Sequence, residues 1–418
     1  MADIEPLEAL HYDPAKTSGL QNVVAPPYDV IDASQRAALE RRSPYNVVRI
    51  DLPQGDRPYE DAAARLSAWR ANGVIVRDAQ PALWVLAQDY TGPDGQARTR
   101  RGFLARVRIE DFGAGRIRPH ERTHPGPKED RLRLTRATRA NLSPIFSLFS
   151  DPQNGSWIAL EPATACEPCA QTVDADGTVN RLWRVANQDA IAAVKQSLRG
   201  TELLIADGHH RYETAKAYAE EVGGEGPHRY VLMCLVALQD HGLTVFPTHR
   251  LVRGLSQEQQ EKLASALREN FKIEPLNDSS ALAPKSSDQI RIGYIDAHFR
   301  KPFMLTLKNH EIADAVLPGS AEPYRRLDTA VFEALILKGT LGMNDEEIDH
   351  LAGLGYARNV GQALSMIETG QFDAAFLMAP TPVERVQEIA AAGESMPPKS
   401  TYFFPKVPTG LLFNPLSG

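Results

Sequence analysis

Residues 203–215 read LLIADGHHRYETA and hold the densest group of chemically capable side chains in the chain. Asp207, His209, His210 and Arg211 crowd a turn opened by Gly208. Apolar residues lead into that turn, and a helical spacing through Tyr212, Ala215, Ala219 and Val222 leaves it. The pattern predicts strand, glycine turn, helix, a geometry that aims backbone N–H groups and a helix N-terminus at a bound anion. Carboxylate, imidazole and guanidinium side by side suit phosphate binding, metal binding or proton transfer. Asp207 acting only as a helix cap would explain one of these polar residues and leave three without a role.

Three further groups carry chemistry. In Arg118-Pro119-His120-Glu121 the proline forces an extended approach, so His120 and Glu121 emerge from a rigid turn ahead of a helical stretch. Glu121 is the candidate general base, given burial or crowding to raise its pKa; a helix-capping pattern is the plain alternative. Pro247-Thr248-His249-Arg250 closes a strand-like run, which makes His249 and Arg250 candidates for a substrate or phosphate, or else parts of a surface turn. Lys399, in a small polar cluster within an apolar tail, has the charge to reach a phosphate or simply to be solvated. Cys166 and Cys169 form a C-x-x-C, but the third cysteine, Cys234, lies in an apolar run, so two thiols in a polar loop is the preferred reading.

These residues need elements to hold them. At 418 residues the chain exceeds a single core, and two or three domains are expected. Its 43% hydrophobic and 24% charged residues are ordinary for a soluble protein. A net charge of −7 argues against a general nucleic-acid binder, which needs a basic face. The opening residues are acidic and lack an apolar signal segment, and the apolar run 231–238 is too short to cross a membrane. A cytoplasmic protein without membrane partners is the expectation.

Periodicity predicts helices over residues 33–42 and 59–72 and a strand in YNVVRIDL, 45–52. Residues 81–90 and 100–112 look like a hairpin turned at Asp94-Gly95. Strands are expected at 144–150, 228–238 and 243–252, and a strand end followed by a helix at 181–198. Helix and strand then alternate through 256–270, 290–296, 303–308 and 329–337. The tail, 396–413, is too apolar for a disordered end and is expected to fold back onto the body.

Five ordered signatures, VAPPYDVI, RPHERT, ADGHHRYETA, PTHRLV and PPKSTYFFPK, make the chain resemble a bacterial and archaeal family of unknown function numbered 1015. The pair RPHE … ADGHHRY, over about a quarter of the chain, is also similar to the free-serine kinases of the ParB/sulfiredoxin-like fold. That resemblance implies an α+β protein with a ParB/sulfiredoxin-like nucleotide-binding core at 116–253. An N-terminal α+β elaboration, 1–115, would precede it and a C-terminal α/β region, 254–418, would follow.

The same resemblance implies a small-molecule kinase that moves a phosphoryl group from ATP or ADP to a hydroxyl such as that of free L-serine. Glu121 would be the base, flanked by His120, and Asp207, Gly208, His209, His210 and Arg211 the phosphate-binding turn. Mg²⁺ would come with the nucleotide, held by Asp207 directly or through water. A nucleotide-binding switch for ATP or CTP without metabolite turnover is one alternative. A metal-dependent hydrolase built on His120, Glu121, Asp207 and His209 is the other. The longer spacing between the two motifs, and the added C-terminal region, depart from the kinases.

Overall fold

A computed structural model of the chain describes every residue except 1–2, 93–94, 113–115, 121–124, 286 and 418. It is a mixed α+β protein with two compact units. One comprises the described residues of Met1–Pro119, Thr123–Thr244 and Pro405–Gly418; the other comprises those of His120–Arg122 and Val245–Phe404. No helix among the described residues is long and apolar enough to cross a membrane.

The first unit is built on a nine-stranded mixed sheet. Its central hairpin, Leu83–Thr91 and Ala97–Arg108, pairs antiparallel, and Tyr230–Ala237 adds to the second of these strands. Asp94, expected in the hairpin turn, lies outside the described residues. Tyr230–Ala237 then runs parallel to Ile145–Phe149, which pairs antiparallel with Leu203–Asp207. Ile117–Arg118 closes that edge in parallel. Leu203, Leu204, Ile205 and Ala206 are all buried, so both faces of this strand are covered, and the four form an unbroken apolar run rather than an alternating one. Each fully buried Leu or Ile contributes about 1.5–3 kcal/mol. Phe103, Phe149, Tyr212 and Leu235 are among the side chains that fill the core over this sheet.

The helix His209–Val222 packs against Pro125–Thr138. The ion pair Arg136–Glu221, at 2.5 Å, lies on the exposed rim of this packing. The chain's end does fold back, within this unit. Phe413 is fully buried and exchanges backbone hydrogen bonds with Leu10, and Thr409 does the same with Ala25.

In the second unit a six-stranded sheet has the order Phe271–Pro275, Phe303–Leu307, Arg291–Asp296, Ala374–Leu377, His249–Val252, Leu354–Ala357, every pair antiparallel. The helix Gln257–Asn270 starts at a capping box of Ser256 and Gln259 and buries Leu263 and Leu267 in a core with Phe332 and Phe376.

Two expected strands are corrected. YNVVRIDL is not extended: Val48–Asp51 is a short helical turn, with Ile50 and Asp51 donating back to the Val47 carbonyl. Helical spacing lets Val47 and Ile50 bury together in one apolar cluster, which strand alternation would not. The run 243–252 is two strands, Thr244–Phe246 and His249–Val252, in different sheets. Pro247 stands between them and has no N–H to continue a ladder.

Candidate functional site

The Leu203–Asp207 strand ends in an irregularity: its pairing register shifts between Ile205 and Asp207. Gly208 then turns the chain at φ +95°, a left-handed value that favours glycine, and N-caps the helix His209–Val222. The first turn of the helix is fixed from below by Tyr212, which is fully buried. Its hydroxyl donates to the Glu110 carbonyl at 2.7 Å and accepts from the Glu110 N–H at 2.9 Å.

Charge gathers on this turn. Asp207 Oδ2 meets Arg211 Nη2 at 2.6 Å, and Asp207 Oδ1 meets Lys406 Nζ at 2.7 Å. The Arg211 Nη1 group donates to Ser143 Oγ at 2.6 Å and to the Pro144 carbonyl. Ser143 in turn accepts from the Thr409 hydroxyl at 3.0 Å. Among the described residues named here, two cations face one carboxylate. A helix N-terminus adds further positive potential, because the N–H groups of its first turn have no acceptor within the helix. His209 is buried and His210 half-buried in that turn. Backbone amides and cations gathered at such a turn are the groups that an anion needs. A bidentate arginine grip on phosphate would first have to release Ser143, Pro144 or Asp207.

Each carboxylate oxygen of Asp207 already meets a cation, so Mg²⁺ bound to it directly would compete with Arg211 and Lys406. Among the described residues no group of three His, Cys, Asp or Glu side chains is placed to hold a metal ion.

His120, His249, Arg250 and Lys399 lie in the second unit. His120 is fully buried, with Nε2 hydrogen-bonded to Thr401 Oγ1 at 2.7 Å and its ring edge-on to Phe403. Glu121 lies outside the described residues. His249 is buried, and its Nδ1 accepts from the Met378 N–H at 3.1 Å, which puts the ring proton on Nε2. Burial, with Arg250 beside it, pushes its pKa down to about 4, so the ring is neutral near pH 7. Arg250 is buried and donates to the carbonyls of Thr248, Lys399 and Pro398. Lys399 is exposed and in a left-handed conformation at φ +58°. Cys166 and Cys169 are exposed, and burial pushes the Cys234 thiol up to about 12.

Sequence reasoning missed Lys406 and Ser143. Lys406 was within view, since PPKSTYFFPK carries both Lys399 and Lys406. Only the return of the tail, 199 residues from Asp207 in sequence, selects the second of them.

Among solved structures the chain is similar to a conserved hypothetical protein from Pyrococcus furiosus, at 16% identity over 71% of this chain and 92% of that one, with a TM-score of 0.37. A free serine kinase in complex with AMP is 15% identical over 72% of this chain and 98% of its own, at 0.35. SbnI from Staphylococcus aureus, truncated at its C-terminus, is 13% identical over 73% and 85%, at 0.38. All three likenesses are weak. No curated protein matches the chain. A family model described as protein of unknown function, DUF1015, matches residues 4–330, and the chain belongs to that family.

Proposed function

We propose that the protein is a small-molecule kinase that transfers a phosphoryl group from ATP or ADP to a hydroxyl, with free L-serine as the acceptor and O-phosphoserine as the product. One observation carries the reading: the cluster of Asp207, Arg211 and Lys406 at the glycine-opened N-terminus of a 14-residue helix. Phosphoryl transfer asks a protein for positioning and charge neutralisation more than for covalent chemistry. Gly208 lets the backbone approach a phosphate closely, the first-turn amides of His209 and His210 donate to it, and Lys406 and Arg211 offset its charge. Asp207 holds both cations in place, and no step is assigned to Mg²⁺. The core that carries this turn, residues 116–253, is proposed to be of the ParB/sulfiredoxin-like kind.

Glu121 is proposed as the base that takes the acceptor's proton, with His120 as the buried anchor of its segment. A screen of ATP, ADP and CTP against hydroxyl-bearing amino acids, with phosphorylated product identified by mass spectrometry, tests the proposal. The reading expects product with ATP or ADP and one such acceptor. Nucleotide binding with slow turnover unchanged by any acceptor would replace it with the switch reading. Stoichiometric zinc in purified protein that hydrolyses substrate would replace it with the hydrolase.

A further inference from the structure

Arg211 Nε and Thr214 Oγ1 are buried and, among the described residues, have no hydrogen-bond partner. Native structures rarely leave such atoms unsatisfied, and each one calls for an explanation. Both belong to side chains three apart on one face of the His209–Val222 helix, and both residues line one pocket. Tyr28, Asp51, Arg131, Thr135, Asn141 and Ser143 complete its polar lining among the described residues. Thr214 is 4% exposed, so solvent does not satisfy its hydroxyl.

The pocket presents both signs of charge. Asp51 is buried, with Oδ1 3.4 Å from Arg131 Nη1, and the same nitrogen donates to the Asp51 carbonyl at 2.6 Å. Burial raises the Asp51 pKa even though Arg131 and Arg211 pull it down, so the carboxylate gains from a further hydrogen-bond donor. The Arg131 guanidinium lies over the Tyr28 ring, 4.5 Å from its centroid, which fixes that wall. A lone anion would face Asp51, and a lone cation would face two arginines. A small zwitterion meets both, and the hydroxyls of Thr214, Tyr28 and Ser143 suit a ligand that itself hydrogen-bonds.

We propose that this pocket binds a small hydroxyl-bearing α-amino acid, with its carboxylate against the Arg211 guanidinium and the Thr214 hydroxyl and its ammonium at Asp51. As the acceptor site the pocket rests on the kinase reading, since Arg211 joins it directly to the turn proposed to hold phosphate. It also gives a task to the VAPPYDVI segment, which delivers Tyr28.

Calorimetric titration of the full chain tests this, with L-serine and L-threonine as probes. Lactate lacks the ammonium and ethanolamine lacks the carboxylate, and both serve as controls. Thr214→Val keeps shape and removes the hydroxyl; Thr214→Ser restores it. The expected result is that serine or threonine binds, that the valine variant binds at least about tenfold more weakly, and that the serine variant recovers. Each control should bind at least about tenfold more weakly than the intact amino acid. No amino-acid binding to the wild type, equal binding by the valine variant, or equal binding of a control overturns the proposal. ADP is titrated against the same samples. ADP binding without amino-acid binding sinks the pocket and leaves the phosphate turn standing, and the reverse sinks the nucleotide reading and leaves the pocket.

Discussion

Gly208→Ala perturbs the turn at the point where its geometry is most demanding. Gly208 sits at φ +95°, where an alanine is strained by about 1–3 kcal/mol. A Cβ built there also meets the Arg211 guanidinium, 2.9 Å from Nε and 3.0 Å from both Cζ and Nη2. Contacts that short force the guanidinium aside. It cannot move freely, because Ser143, Pro144 and Asp207 hold it. The substitution thus shifts the charged cluster and the first amides of the helix together. If these bind phosphate, ADP affinity should fall by about tenfold or more, equivalent to about 1.4 kcal/mol or more. Gly208→Asn separates the two causes, since asparagine tolerates left-handed backbone better than alanine but carries the same Cβ. Calorimetric titration with ADP, beside a melting curve for each variant, is the assay. An affinity within about twofold of wild type in a folded Gly208→Ala variant, far below the tenfold expected, would refute the phosphate role of the turn.

Other outcomes follow from the same geometry. Arg211→Lys should cost about 1–3 kcal/mol in denaturant unfolding and also weaken ADP binding, because an ammonium cannot span Ser143, Pro144 and Asp207 at once. Lys406→Met lowers the charge of the cluster by one; titration at low and high salt should show about tenfold weaker ADP binding and a flatter salt dependence. Glu121→Gln should lower turnover by about 10²–10⁴-fold in steady-state assays while ADP affinity stays unchanged.

His249 should make the protein acid-sensitive. Its folded pKa of about 4 lies below the usual 6.5, so its contribution is present above pH 6.5 and is lost as pH falls towards 4, up to about 3 kcal/mol in all. Asp174 and Asp328, raised by burial to about 6, act in the opposite sense over nearly the same range. Melting curves from pH 7 to 4 for wild type and His249→Asn isolate the histidine, since asparagine can still accept from Met378. The variant should lose less stability on acidification.

The strand, turn and helix around Gly208 were legible in sequence because each is local: an apolar run, a glycine and a helical spacing. The helix Ala33–Arg42 and the hairpin strands Leu83–Thr91 and Ala97–Arg108 were legible for the same reason. Val48–Asp51 was misread because β-branched Val47, Val48 and Ile50 favour a strand, and only their shared apolar cluster decides for a helical turn. The break at Pro247 carried its own signal, a missing N–H, which the apolar residues on either side masked. Lys406 against Asp207 and Arg131 against Asp51 were out of reach, since these pairs are 199 and 80 residues apart and nothing in local pattern links them. The same distance hides the buried Thr214 hydroxyl, whose surroundings come from four separate stretches of chain.

The most direct test of the kinase reading is ³¹P NMR of the purified full chain with L-serine and either ATP or ADP. The expected result is a new phosphomonoester resonance that grows with serine concentration, matches authentic O-phosphoserine and is lost in Glu121→Gln. Nucleotide left intact, or free phosphate released at a rate that serine does not change, would contradict it.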